Sequence, residues 1–202
     1  MKYYSFKIAA ILIIVFLLQL LIPAFTDFLV IDNSMPFEIW RYFTAIFLHG
    51  GLLHLVLNLF GLVFFGFILE HEIKPKKFLL VFLTAGIFSS IISVFFYSKV
   101  LGASGAIFGI IGTLVILRPS MTVWAYSVPM PLFLASLLWA LADIFGVFFP
   151  TGIANLGHLS GLFVGILIGF YLRAKMPKIK TNKEKINIPE EYVIDWEKRY
   201  MG

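Results

Sequence analysis

Gly102-Ala103-Ser104-Gly105-Ala106-Ile107-Phe108-Gly109 is a run of small residues carrying one hydroxyl, set at the head of an apolar stretch. Glycine on both sides of Ser104 removes bulk, so another backbone can approach the hydroxyl and the chain can turn tightly into a helix. The nucleophile elbow of soluble hydrolases, Gly-x-Ser-x-Gly, does not fit, because its fifth position is Ala106. Taken alone the segment reads as helix packing, since small residues bring membrane helices together and a serine can bond its own backbone. The rest of the chain has to decide between packing and chemistry.

The chain has 202 residues, 60% of them hydrophobic and 13% charged. Several uncharged runs approach the ~20 residues that cross a bilayer. The expected fold class is therefore an all-α polytopic membrane protein with six transmembrane helices, near residues 8–24, 51–69, 78–97, 103–117, 131–148 and 154–172. Residues 1–172 form the membrane domain, and 173–202 a charged C-terminal tail that reads as a soluble extension. The basic start and the small-residue site near Ala24 imitate a signal peptide, but a retained helix is the preferred reading. Residues 25–48 are too polar to span yet carry Phe28, Leu29, Val30, Phe37 and Trp40, so the loop is expected to lie partly in the interface. Glu70 to Lys77 reads as the turn after span two, Pro150-Thr151-Gly152 as the turn before span six, and 119–128 is ambiguous. The absence of cysteine excludes disulfides and thiolate metal sites. A net charge of +5 sits beside apolar runs instead of forming a basic face interleaved with aromatics, so nucleic acid is not an expected partner.

With both termini in the cytoplasm, fourteen of the sixteen Lys/Arg lie inside and only Arg41 and Lys99 outside, a strong positive-inside bias. Spans two, four and six then enter from the outer side. The unusual polar residues open those spans: His49, His54 and Asn58 on span two, Ser104 on span four and His158 on span six. Span four, at about 15 residues and ~1.5 Å per residue, covers ~22 Å of a ~30 Å hydrocarbon core, so Ser104 is expected below the outer surface in a wet pocket.

Span six carries Gly157, Gly161, Gly165 and Gly169, and span four carries Gly105, Gly109 and Gly112. Packing these two bare stripes together brings the His158 imidazole toward the Ser104 hydroxyl, and a neutral histidine is the base that a serine nucleophile needs. His54 and Asn58, at i and i+4, share a helical face, and with the Ser104 amide they are candidates to bind an oxyanion. Phe108 is one turn beyond Ser104, where it could stack under His158 and fix the ring without a third carboxylate.

These residues resemble the rhomboid intramembrane serine proteases: Trp40-Arg41, Thr44 to His49, His49-x4-His54-x3-Asn58, Glu70, Gly102-Ala103-Ser104-Gly105 with Phe108, and Gly157-His158-x2-Gly161-x3-Gly165. The resemblance covers about residues 8–172 and implies a rhomboid-like fold. It implies Ser104 as nucleophile, His158 as general base, and His54 and Asn58 as oxyanion donors beside the backbone amides of Ala103 and Ser104. Gly102, Gly105, Phe108 and His49 support them. It also implies substrates that are transmembrane segments of membrane proteins, cut near the outer face, with span five and the segment from Phe145 to Gly152 gating access. The implied location is a cell membrane, with the lipid bilayer as partner and no cofactor. Phe108 departs from the tyrosine often found in the family, which keeps a ring for stacking and loses a hydroxyl.

Other readings stand beside this one. A catalytically inactive rhomboid-like protein that binds or escorts membrane clients is the alternative, although such relatives lose the serine or histidine and both are kept here. A zinc site on the outer histidines lacks a carboxylate or cysteine partner on their spans at that depth, so no metal is expected. A transporter needs broken helices at the midplane, which Ser89, Ser90 and Ser93 do not signal. Asp143, an acid inside span five, is open to a functional role or a hydrogen bond to a neighbouring helix, and is left unassigned. His49 and Glu70 read as structural hydrogen-bonding residues, and Arg41 as a loop anchor.

Overall fold

A computed structural model describes residues 3–149, 152–176 and 189–200, and the chain is mostly helical over them. Helix α1 (Tyr4–Leu21) starts and ends earlier than the expected 8–24. It stops because Pro23 forces its predecessor out of the helical region, and Ile22 accordingly sits at φ −112°, ψ 112°. The first amides of α1 have no partner within the helix. Glu70 supplies it, accepting from Tyr4 N (2.6 Å), Ser5 N (2.9 Å) and Ser5 Oγ (2.8 Å).

The connection from 22 to 51 folds into short pieces: α2 (Phe25–Leu29), strand β1 (Ile31–Asp32), α3 (Arg41–Thr44) and a 3₁₀ turn (Ala45–Phe47). Arg41 is buried and pins this loop, donating to the carbonyls of Asp27 (2.6 Å) and Val30 (2.8 Å) and pairing with Glu38. Trp40 is exposed, tilted over Phe28 with ring centroids 6.2 Å apart.

A single rod, Leu52–Ile73, follows; it comprises α4 (Leu52–Gly61), a π-helical turn (Leu62–Gly66) and α5 (Phe67–Ile73). The expected turn from Glu70 to Lys77 is thus corrected. Helix continues to Ile73, Lys74 alone makes the corner at φ 73°, and Pro75 opens α6 (Pro75–Ser93) at a position where proline is tolerated. Helix α6 also ends before the expected Tyr97, because the chain must extend into β2 (Lys99–Val100), which pairs antiparallel with β1.

Helix α7 (Ser104–Leu117) agrees with the expected fourth span, and α8 (Leu132–Phe148) with the fifth. Between them the ambiguous stretch is a hairpin, β3 (Thr122–Ala125) with β4 (Val128–Pro131), so the fold is not purely helical. Helix α9 (Asn155–Lys175) runs one turn beyond the expected end, and its Arg173 guanidinium donates to Ile116 O at 2.6 Å. Pro150 and Thr151 of the expected turn lie outside the described residues, as does 177–188 of the tail. Beyond it α10 (Glu190–Tyr200) is helical.

Among the described residues, four helical stretches are long and apolar enough to cross a bilayer: Tyr4–Leu21, Leu52–Ile73, Pro75–Ser93 and Asn155–Lys175. Helices α7 and α8 are apolar but shorter, at 14 and 17 residues. Large apolar side chains such as Leu17, Leu57, Phe60, Leu137 and Phe163 face outward, as lipid contact demands. The chain is a multi-pass membrane protein.

Its tightest packing joins α7 to α9, as the paired glycine stripes require. A Cβ at Gly161 would fall on the Gly105 carbonyl, one at Gly165 on the Gly109 carbonyl, and one at Gly112 on the Leu162 carbonyl. Thr113 Oγ1 bonds across the seam to Gly165 O at 3.0 Å. From the other side, Ser89 of α6 donates to Gly157 O at 2.8 Å, and a Cβ at Gly105 would fall on that same hydroxyl. Backbone-to-backbone contact of this kind fixes the relative height of α6, α7 and α9 to within a fraction of a residue, because no side chain intervenes to give.

Candidate active site

Ser104 is the first residue of α7, with the buried Ala103 before it, so the amides of this turn have no partner within the helix. The approach strand is tied down where Gly102 N donates to Ala45 O at 2.9 Å. Gly102 has φ +119°, and a Cβ there would lie 2.7 Å from His54 Cε1 and 2.9 Å from Nε2. Glycine at this position is therefore what lets the His54 ring rest against the backbone entering Ser104.

His54 Nδ1 accepts the Gly50 N–H at 3.3 Å, which leaves the ring proton on Nε2, the atom facing Gly102. One turn on, the buried Asn58 donates from Nδ2 to His54 O at 2.8 Å and keeps a second amide hydrogen to give. His158 lies in the first turn of α9, its ring parallel to that of Phe108 with centroids 4.4 Å apart and planes 5° apart. The expected stacking is present. The ring is not held by stacking alone, which corrects the reading that no third carboxylate is involved: His158 Nδ1 is 3.0 Å from Asp143 Oδ1. An ionised carboxylate there takes the Nδ1 proton as a donor and leaves the Nε2 lone pair free to accept one.

His54, Asn58, Ser104, Phe108 and His158 line one cavity of about 730 Å³. A second cavity of about 20 Å³, bounded by Ser89, Ser93, Ser104 and His158, has room for about one water. The arrangement holds a hydroxyl, a proton acceptor and amide and imidazole donors around one space, the parts needed for acyl transfer.

His49 belongs to the wall of the site. It is only 2% exposed, its ring edge-on to that of His54 at 5.2 Å and 64°. Gln19 binds its backbone, donating to His49 O at 3.1 Å and accepting from His49 N at 2.9 Å, so the anchoring bonds run to the main chain of His49 instead of the imidazole. Burial, and then the charge of neighbouring His54, push the His49 imidazole down to about 4. It stays neutral at physiological pH.

Sequence reasoning singled out His49, His54, Asn58, Ser104, Phe108 and His158, but not the contact made by Asp143. That acid stood out as an ionisable group within a span, but its partner is 15 residues away on another helix, and no periodic pattern joins the two. Gln19 and Tyr97 were also missed; the Tyr97 hydroxyl accepts the Leu156 N–H at 3.1 Å and so satisfies an amide at the head of α9.

Residues 36–175 match the family model described as the Rhomboid domain. The chain is 34% identical over 137 residues to RHOMBOID-like protein 6, mitochondrial, of Arabidopsis thaliana, an alignment covering 67% of this chain and 44% of that protein. It is 33% identical over 135 residues to RHOMBOID-like protein 1 of the same plant, covering 66% and 34%. With Rhomboid protease GlpG of Yersinia pseudotuberculosis it shares 30% identity over 141 residues, covering 69% and 50%. The chain thus spans half or less of the length of these relatives. Because the matched segment runs from the loop ahead of α3 to the last residue of α9, and so takes in Ser104, His158 and the helices that carry them, the chain belongs to the rhomboid family.

Proposed function

We propose that this protein is an intramembrane serine endopeptidase with six spans, both termini cytoplasmic and the cavity opening toward the outer face of a cell membrane. Its substrates are transmembrane segments of other proteins, and it uses no cofactor. One observation carries the reading: Ser104 and His158 line the same 730 Å³ cavity, with His158 stacked on Phe108 and its Nδ1 engaged by a carboxylate.

In this reading Ser104 Oγ attacks the scissile carbonyl carbon and gives its proton to His158 Nε2. The oxyanion is met by the Ser104 and Ala103 amides, His54 Nε2–H and the spare hydrogen of Asn58. One such donor is worth ~3 kcal/mol, or about 100-fold in rate. His158 then passes its proton to the departing amine, leaving an acyl-enzyme on Ser104. Water, deprotonated by His158, attacks the ester and releases the second product.

The test is cleavage of a single-span model substrate by purified protein in detergent and in liposomes, with Ser104→Ala and His158→Ala compared. Cleavage is expected from the wild type alone, with all three proteins folded. Folded wild type that binds transmembrane segments and cuts none of a varied panel would replace this reading with the client-binding one.

A further inference from the structure

We propose that Asp143 is a positioning residue that holds His158 in the base-competent tautomer. The inference deepens the serine-protease reading and rests on it.

The geometry is specific. Asp143 is buried and His158 partly buried, their side chains 9% and 14% exposed, and Nδ1 meets Oδ1 at 3.0 Å. Asp143 Oδ2 has no partner among the described residues, so among them His158 alone orients this carboxylate. A buried acid in a membrane bundle is costly to keep, and is retained where it is paired. The approach is built by a second contact one turn along both helices: Gly146 of α8 faces Asn155 of α9, where a Cβ would come within 2.6 Å of the Asn155 amide nitrogen. Residues 143 and 146 share one face of α8, residues 155 and 158 one face of α9, and the two rungs lie in register. Glycine at the first rung is what brings the carboxylate within reach at the second.

The tautomer follows from the partner. Free neutral imidazole exchanges its proton between the two nitrogens, and only the Nδ1–H form presents an Nε2 lone pair to Ser104. Ionised Asp143 selects that form and stabilises the imidazolium that appears when the Ser104 proton arrives on Nε2. The carboxylate keeps its charge and no proton reaches it.

Helix α8 reaches His158 through one buried side chain of its far half. Ser104, Phe108 and His158 ride on the α7/α9 pair, whose backbones interlock, whereas the buried residues of α8 are Leu132, Ala135 and Ser136 at its beginning and then Asp143. Beyond Ser136, Asp143 is the one buried position of the helix.

Two readouts test this. In detergent-solubilised protein with ¹⁵N-labelled histidine, the resonances that disappear in His158→Gln are expected to show the Nδ1–H tautomer in wild type and in Asp143→Asn, whose amide oxygen still accepts. In Asp143→Ala the population is expected to shift to Nε2–H. This measurement needs no turnover, so it stands apart from the protease reading, and the wild-type spectrum decides the contact even where Asp143→Ala fails to fold. On the model substrate, Asp143→Ala is expected to lose about 10- to 100-fold in kcat with KM within about twofold, and Asp143→Asn to recover only part of it, because its amide oxygen accepts the Nδ1 proton but carries no charge to stabilise the imidazolium. An Nε2–H wild-type spectrum overturns the proposal. So does a folded Asp143→Ala with wild-type kcat, while loss of cleavage in Ser104→Ala keeps the protease reading intact.

Discussion

Replacing Gly102 by alanine should damage the site through one identifiable atom pair, and the size of the damage can be apportioned. Two costs arise. The backbone at φ +119° disfavours any L side chain, at about 1–3 kcal/mol. Separately, the new methyl would sit 2.7 Å from His54 Cε1 and 2.9 Å from Nε2, overpacking worth about 1–3 kcal/mol. Gly102→Ala alone should therefore destabilise by about 2–6 kcal/mol. In a His54→Ala background the ring is gone and only the backbone cost remains, so the same change should cost about 1–3 kcal/mol. The difference, about 1–3 kcal/mol of coupling, exceeds the ~0.5 kcal/mol within which independent changes add. The assay is denaturant unfolding of the four proteins of the cycle in one detergent. Costs that add within that limit would refute the claim that His54 is seated against the Gly102 backbone.

Two further outcomes are expected. Phe108→Ala removes the ring stacked 4.4 Å from His158 and should lower kcat about 2- to 10-fold, since such pairs are worth about 0.5–1.5 kcal/mol; Phe108→Tyr should restore it, and steady-state cleavage measures both. His49 gives stability a pH dependence whose sign follows from its pKa, about 4 when folded against 6.5 in the unfolded chain. Above pH 6.5 both states are neutral there, whereas between 6.5 and about 4 the unfolded chain binds the proton first, so stability falls by about 3 kcal/mol as pH drops through that window. His49→Leu should flatten this part of an unfolding-versus-pH curve.

What the sequence could and could not reveal divides along physical lines. The glycine stripes on α7 and α9 were legible because a bare helical face has little use except close backbone contact, and the seam they form sets the height of Ser104 and His158. His54 and Asn58 were legible as one face of one helix. Glu70 misled the placement of a helix end: charge after an apolar run reads as a loop, but this carboxylate is absorbed by the amide and hydroxyl of Ser5 at the head of α1, 65 residues earlier. The β3/β4 hairpin left no mark because its turn places Tyr126 and Ser127, at φ 52° and 63°, where glycine or asparagine is the usual signal. Asp143 was visible as an anomaly, yet its partner became visible only once α8 and α9 were side by side.

The π-helical turn at Leu62–Gly66 makes the second rod two instruments on one shaft. An α-helix advances about 100° per residue, so one residue more or fewer normally rotates everything beyond it. A wide turn absorbs such a residue locally. The half that aims His54 and Asn58 into the cavity and the half that aims Glu70 at the start of α1 can thus keep separate phases. Removing one residue within this turn is expected to leave both ends in phase, whereas a one-residue change anywhere else along the rod misaligns one end or the other.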